Sequence, residues 1–183
     1  MSTFGTTVVG GSEDNPSLNW VWQKATTTPA SNGTLTSVNV SCRRNPSGPA
    51  NPTICAAIYS DSGGAPSTRL GQNVVGVTVG DSASWVSIAV SATIVAGVQY
   101  YFCLNMPGNL SGPGDPDALV AFDASGGTEL WYADHSGAPT TFPATAPGGL
   151  STASERWSVY GIYTPDAAPP PVLQVPRRIY VLP

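Results

Sequence analysis

The chain has 183 residues, of which 41% are hydrophobic and only 10% are charged, and its formal net charge at pH 7 is −4. Disordered chains lack this share of apolar residues, so we expect a folded domain, and 20 glycines with 18 prolines indicate many turns. The acidic balance disfavours nucleic acid and anionic membranes as partners, and no apolar run reaches the roughly 20 residues of a membrane-spanning helix.

Short segments in which apolar and polar residues alternate recur along the chain between clusters of Gly, Pro, Asn and Ser. This period of two predicts β-strands, and the 3.6-residue period of a helix is missing except for one short turn at residues 151–154. Many short strands without helices predict an all-β sandwich, jelly roll or barrel. The predicted strands are 6–9, 18–25, 33–42, 53–60, 76–79, 84–90, 99–105, 118–122, 129–132 and 155–163.

The alternation also predicts which side chains share a face of a strand. Trp20 and Trp22 share one face and are expected to be buried or to lie in an interface. Tyr101 and Cys103 lie opposite the other apolar side chains of their strand. Both faces of residues 157–163 are apolar, which predicts a strand that is central or covered on both sides.

The connections carry turn residues. Residues 60–66 combine Gly, Asp and Ser and predict a wide turn. Residues 106–117 and 133–149 predict long loops rich in Gly and Pro. Loops of this length on a rigid sandwich are functional or mobile.

Four blocks of the chain resemble, in the same order, those of bacterial and phage surface β-sandwich domains of the discoidin-like or carbohydrate-binding-like jelly-roll type. The resemblance covers about residues 5–164 and implies an antiparallel jelly-roll β-sandwich, with Trp85 in a core strand. Such modules serve as sugar binders, spacers and coat proteins, so the resemblance does not settle the function. The blocks are GTLTSVNV at 33–40, AAIYSDSGGAP at 56–66, WVSIAV at 85–90 followed by AGVQYYFCL at 96–104, and SVYGIY at 158–163.

The N-terminal residues lack the basic region and apolar core of a secretory signal, so we expect synthesis in a host cytoplasm without export. The three cysteines, Cys42, Cys55 and Cys103, have no disulfide-framework or zinc-site spacing. We therefore predict reduced, buried thiols within strands. A Cys55–Cys103 bridge is the alternative.

We predict no catalytic site and no metal site. His135 is the single histidine, and we interpret it as a solvated loop residue. A secreted glycosidase fragment is disfavoured because no catalytic carboxylate pair is recognisable. No cofactor is expected, although a structural calcium stays open as an alternative because carboxylates are scattered through the turns. These aspartates are Asp61, Asp81, Asp115, Asp117, Asp123 and Asp134.

Trp131 and Tyr132 are the candidate sugar-binding residues. They lie beside the long loop at 133–149, and aromatic rings can stack on the C–H faces of sugars. The alternative is that both pack in the core.

The chain ends in an arm, residues 165–183, that follows the predicted sandwich of residues 1–164. Prolines at 165, 169, 170 and 171 predict an extended spacer. So apolar a segment would aggregate if free in water, and we predict that it docks on another chain. The predicted partner-binding residues are Val172, Val175, Arg177, Arg178, Ile179, Tyr180 and Leu182.

The leading functional hypothesis is a structural virion protein: a capsid decoration, or cement, protein of a tailed bacteriophage. Its partners would be the major capsid protein or another virion protein and copies of itself, as a homotrimer. The alternative is a carbohydrate-binding or host-adhesion module on a tail fibre or cell surface.

Overall fold

The computed structural model describes residues 1–15, 19–48, 51–106, 118–124, 128–134 and 141–167, with only the backbone described at Asn19 and Asp134. The described residues form thirteen strands and no helix, so the all-β prediction is confirmed, and no helix there could cross a membrane. The strands are β1 Ser2–Gly5, β2 Ser12–Asp14, β3 Asn19–Lys24, β4 Gly33–Arg44, β5 Thr53–Ser62, β6 Ala65–Thr78, β7 Ser84–Ile94, β8 Tyr100–Asn105, β9 Ala118–Ala124, β10 Leu130–Asp134, β11 Ser151–Ala153, β12 Glu155–Trp157 and β13 Val159–Pro165.

Two antiparallel sheets pack face to face. In sheet I, β7 and β13 lie on opposite sides of β4, because both pair with the same residues of that strand, and β1 pairs with the far side of β13. Strands β9, β12 and β2 extend this sheet. Sheet II has the order β11-β10-β3-β8-β5-β6.

Eight of these strands form a jelly roll. Numbered one to eight along the chain, β1, β3, β4, β5, β6, β7, β8 and β13 have the order 1-8-3-6 in sheet I and 2-7-4-5 in sheet II. This is the order of two Greek keys folded into a double-sheet jelly roll. The predicted jelly-roll sandwich is therefore confirmed.

An insert separates the seventh and eighth jelly-roll strands. Residues 106–158 contain β9 to β12, which add to both sheets of the sandwich. Strands β10 and β11 extend sheet II beside β3, whereas β9 and β12 extend sheet I together with β2. The strands of the insert thus widen both sheets of the eight-stranded frame.

The core lies between the sheets and follows the predicted alternation. Trp157, Val159 and Tyr163 point into it from β12 and β13, and each is at most 1% exposed. Strand β13 lies between β1 and β4, which confirms the prediction of a central strand.

The first predicted strand is wrong in position. Residues 6–9 have high β-propensity, yet the strand is β1, because Phe4 is the side chain that enters the core at 1% exposure. Gly5, with a φ of 103°, ends the strand. Val8 and Val9 are 68% and 51% exposed, so they gain little from pairing.

Three further predictions fail where distant pairing overrides local sequence. Strand β6 is far longer than the predicted residues 76–79, because it pairs along β5. The predicted wide turn at residues 60–66 is instead a tight turn at Gly63 and Gly64, both with positive φ. Residues 151–153 form strand β11 against β10, not a helical turn. Strand β2 was not predicted; it exists through its pairing with β9.

Trp85 is not a core residue. The alternation along β7 directs Val86 and Ile88 inward, so Trp85 lies on the outer face of sheet I and is half-buried. Its ring packs edge-on against Tyr160, with 4.8 Å between ring centroids. Whether a residue has an odd or an even position in its strand decides which face of the sheet its side chain lies on. The resemblance of a sequence block to a known family does not by itself reveal that position.

Candidate ligand cleft beside the inserted strands

A cleft of about 190 Å³ opens between the two sheets where the insert extends them. Strands β2 and β12 form its sheet I side, and β3, β10 and β11 form its sheet II side. Alternate residues of β10 and of β12 face it, as the period of two requires. The lining residues are Asp14, Asn15, Val21, Leu130, Tyr132, Ala153, Glu155 and Trp157.

The cleft has an apolar floor and a polar rim. Val21, Leu130 and Trp157 form the floor and are at most 3% exposed. Tyr132 is half-buried and supplies an aromatic wall that reaches solvent. The rim consists of the exposed Asp14 and the half-buried Asn15 and Glu155. Few convergent polar groups around an apolar surface are typical of ligand sites.

Hydrogen bonds hold the floor in place. The Trp157 indole Nε1 donates to Glu155 Oε2 at 2.8 Å, and the Trp157 backbone N donates to Gln23 Oε1 at 2.7 Å. Gln23 is itself buried, and its Nε2 donates to the carbonyl oxygens of Lys24 and Glu129. The Trp157 ring is therefore fixed before any ligand arrives, so little ordering cost is left for binding.

Among the described residues, no cation forms an ion pair with the carboxylates that line the cleft. The described residues of its lining carry two carboxylates and no cation. Among described residues, the ion pairs are Arg43 with Glu13 at 2.7 Å and Arg44 with Asp81 at 2.5 Å, and neither involves Asp14 or Glu155. The cleft therefore favours a ligand that combines a positive charge or several N–H donors with an apolar or flat portion.

The two predicted sugar-binding residues lie on opposite faces of β10. Tyr132 enters the cleft, whereas Trp131 lies on the outer face of sheet II, where its ring packs edge-on against Tyr101 at 5.1 Å. They cannot form one continuous platform, because neighbours in a strand point to opposite sides. The sequence reasoning missed Asp14 and Glu155, whose separation along the chain leaves no local signal.

The outer face of sheet II is covered by residues 141–150, which we call the strap. Phe142 is 2% exposed and packs on a second apolar cluster that includes Trp22, Tyr59 and Tyr101. The Tyr59 hydroxyl donates to the Pro143 carbonyl oxygen at 2.5 Å. The placement of Trp22, and of Tyr101 opposite the main core, confirms those face predictions.

The strap also pairs with the edge of β6. The Arg69 backbone N donates to the Ala144 oxygen at 2.9 Å, and the Ala146 N donates to the Ser67 oxygen at 2.7 Å. The Arg69 guanidinium Nη1 donates to the Phe142 oxygen. This part of the β6 edge is closed to another strand.

The three cysteines are buried and free, as predicted for their burial. Cys42 lies in the main core, whereas Cys55 and Cys103 lie under the strap cluster. Burial raises the pKa of the Cys42 thiol to about 12, that of Cys55 to about 11, and that of Cys103 well above its usual value. The reactive thiolate is thus disfavoured at all three positions.

The aspartates with described side chains stabilise turns and strand ends. Asp61 accepts from the Tyr101 hydroxyl at 2.9 Å, Asp123 accepts from the Gly11 N at 3.0 Å, and Asp81 pairs with Arg44. Among the described residues, no group of three acidic, His or Cys side chains could hold a metal ion. Asp115, Asp117, His135 and the side chain of Asp134 lie outside the described residues.

Strand β13 ends at Pro165, and the Asp166 N donates to the Asn32 oxygen at 2.9 Å just beyond it. The predicted anchors of the arm, from Val172 to Leu182, lie outside the described residues.

Comparison of the chain with models of known protein families finds no match, and comparison with curated proteins finds no relative. Its function must therefore be inferred from the cleft, the covered sheet face and the point where the chain leaves the sandwich.

Proposed function

We propose that this chain is a structural virion protein, a capsid decoration protein of a tailed bacteriophage. The sandwich would sit on the capsid surface and against neighbouring copies, and the arm, residues 165–183, would fasten it. Jelly rolls serve as capsid and lectin domains alike, so the fold is compatible with this role without implying it.

The observation that carries the proposal is that the jelly roll is complete before the arm begins. All eight strand positions are filled by residues up to Pro165, and the last strand has a partner on each side. Among the described strands, the order of the jelly roll is therefore complete without residues 172–182. Their burial against another chain would remove apolar surface from water, which is the main driving force of association.

Strand addition and side-chain anchoring would share the attachment. Strand β1 has β13 as its one partner among the described strands, so its other edge offers backbone N–H and C=O groups to an incoming strand. Pro176 would interrupt such a ladder, because proline lacks the N–H. A homotrimer would multiply weak contacts through avidity.

The proposal is tested with virions purified from lysates of cells that produce the protein. We expect the full chain at a fixed copy number per particle, and its loss from particles when the chain ends at Ala167, which keeps the Asp166–Asn32 bond. The shortened chain should still melt within about 3 °C of the full one, since less than ~1 kcal/mol is removed. A chain with residues 172–183 scrambled is the matched control for length and composition, and it should also be lost.

Full occupancy by the shortened chain would contradict the proposal. So would glycan binding at micromolar Kd or tighter without particle association, which would favour the carbohydrate-binding alternative instead.

A further inference from the structure

We propose that the cleft beside the inserted strands is a socket for the arm of a second copy of this chain, and that it takes one of the two adjacent arginines Arg177 and Arg178, whose side chains point to opposite sides of an extended arm. This inference rests on the proposed function. A decoration protein needs to associate with copies of itself, and the inference assigns that contact to the cleft.

Charge complementarity selects this occupant. The chain has seven Lys and Arg residues, and two of them are the adjacent arginines of the arm. In the sandwich, Arg43 and Arg44 pair with acids, Arg69 donates to the strap, and Lys24 and Arg156 do not line the cleft. The carboxylates of Asp14 and Glu155 have no such cation among the described residues. Arginine is suited to them because its planar fork matches a carboxylate.

The shape of the cleft agrees with this chemistry. Its volume of about 190 Å³ is below the roughly 300–1,000 Å³ of pockets for drug-sized ligands, so it suits one or two side chains. The Tyr132 ring offers a face on which a guanidinium can stack. The floor of Val21, Leu130 and Trp157 offers an apolar surface to a neighbour such as Ile179 or Tyr180. The arm carries this combination of charge and apolar surface in consecutive residues.

The separation between the cleft and the exit of the arm favours a partner copy over the same chain. Trp157, in the cleft, and Pro165, at the exit of the arm, are eight residues apart, or ~26 Å at ~3.3 Å per residue. Ten residues separate Ala167 from Arg177, or ~31 Å when extended at ~3.1 Å per residue. An arm returning to its own cleft would have to reverse at once, against three consecutive prolines at 169–171. Donation from copy to copy is a head-to-tail contact, which gives a ring such as a trimer if the rotation between copies closes.

The test measures self-association of the full chain by sedimentation velocity at low salt. Asp14→Asn with Glu155→Gln removes the charge of the cleft while the new amide oxygen can still accept from Trp157 Nε1. Arg177→Gln with Arg178→Gln removes the charge of the arm. We expect each pair to weaken association about tenfold or more, and all four changes together to weaken it little further, because both pairs remove one interaction.

Mixing gives the decisive readout. The cleft variant keeps a normal arm and the arm variant keeps a normal cleft, so an equimolar mixture should form a 1:1 complex that neither forms alone. Asp81→Asn, which removes an acid that does not line the cleft, is the control and should leave association unchanged.

Unchanged association of the cleft variant, strictly additive effects, or a monomeric full chain at ~100 μM would overturn the inference. So would a glycan that binds the cleft and leaves association intact. If the cleft variant still joins particles while the chain ending at Ala167 does not, the socket is wrong and the attachment function stands. If self-association behaves as expected but no particle contains the protein, the proposed function fails alone.

Discussion

The two outer faces of this sandwich have opposite characters. On sheet II, Trp22, Tyr59 and Tyr101 are fully buried under the strap. On sheet I, Trp85 and Tyr160 form a half-exposed pair, and the neighbouring residues of β7 that face outward are exposed Ser, Ala and Thr.

The difference shows that one sandwich can contain two cores. A sheet covered on both faces can have apolar side chains on both sides of a strand, and β8 is buried along its whole length. Strand β7 alternates, because its outer face meets solvent. The ten residues of the strap cover the outer face of β8, so that this distant strand carries apolar side chains on both of its faces.

The difference between the two outer faces is tested most directly by truncating one tryptophan on each face. Trp22→Ala should cost about 3–5 kcal/mol of unfolding free energy, because it leaves a cavity under the strap. Trp85→Ala should cost ~1 kcal/mol, the value of an aromatic pair at a half-exposed site. Urea unfolding followed by circular dichroism measures both, and equal losses would show that the strap does not form a core.

Loosening the strap itself should have the next largest effect. We expect Phe142→Ala to cost about 2–3 kcal/mol, less than in a closed core, because the strap can detach while the frame stays folded. Iodoacetamide at pH 8 should then alkylate Cys55 and Cys103 faster than in the unaltered protein. Cys42 lies in the main core and serves as the internal control. Equal acceleration at all three thiols would indicate global unfolding instead.

Alkaline pH should weaken the covered face. Burial raises the pKa of the Tyr59 and Tyr101 phenols, and the bond to Asp61 raises that of Tyr101 further. The folded state therefore retains protons that the unfolded chain releases above pH ~10, so this stability is complete below pH ~10 and is lost as pH rises. The melting temperature should fall between pH 10 and 12, and more shallowly in Tyr101→Phe. An equally steep fall in that variant would contradict this assignment.

The smallest effect is expected at the end of β4, where Arg43 pairs with Glu13 of β2. Both side chains are partly exposed, so Arg43→Ala should cost about 0.2–1 kcal/mol. The loss should shrink at high salt because the pair is screened. A cost that is unchanged by salt would point to packing of the Arg43 stem rather than charge.

Local alternation predicted the frame well, because the faces of β8 and β13 depend on neighbouring residues in the chain. It could not predict β2 or β11, which exist through pairing with β9 and β10. Only part of the cleft could be predicted from the sequence. Tyr132 was selected as an aromatic residue beside a loop, but Asp14 and Glu155 meet it only after 140 residues of chain have folded between them.

The central position of β13 has a consequence for the order of events in the cell. Strand β13, the last of the described strands along the chain, lies between β1 and β4, so sheet I cannot close until residue 165 has been made. Ribosome-bound chains that stop before residue 159 should therefore be digested readily by proteases, and chains that expose residue 165 should resist. The arm directly follows that strand, so a sandwich closes just as the segment proposed to join it to its neighbours becomes available.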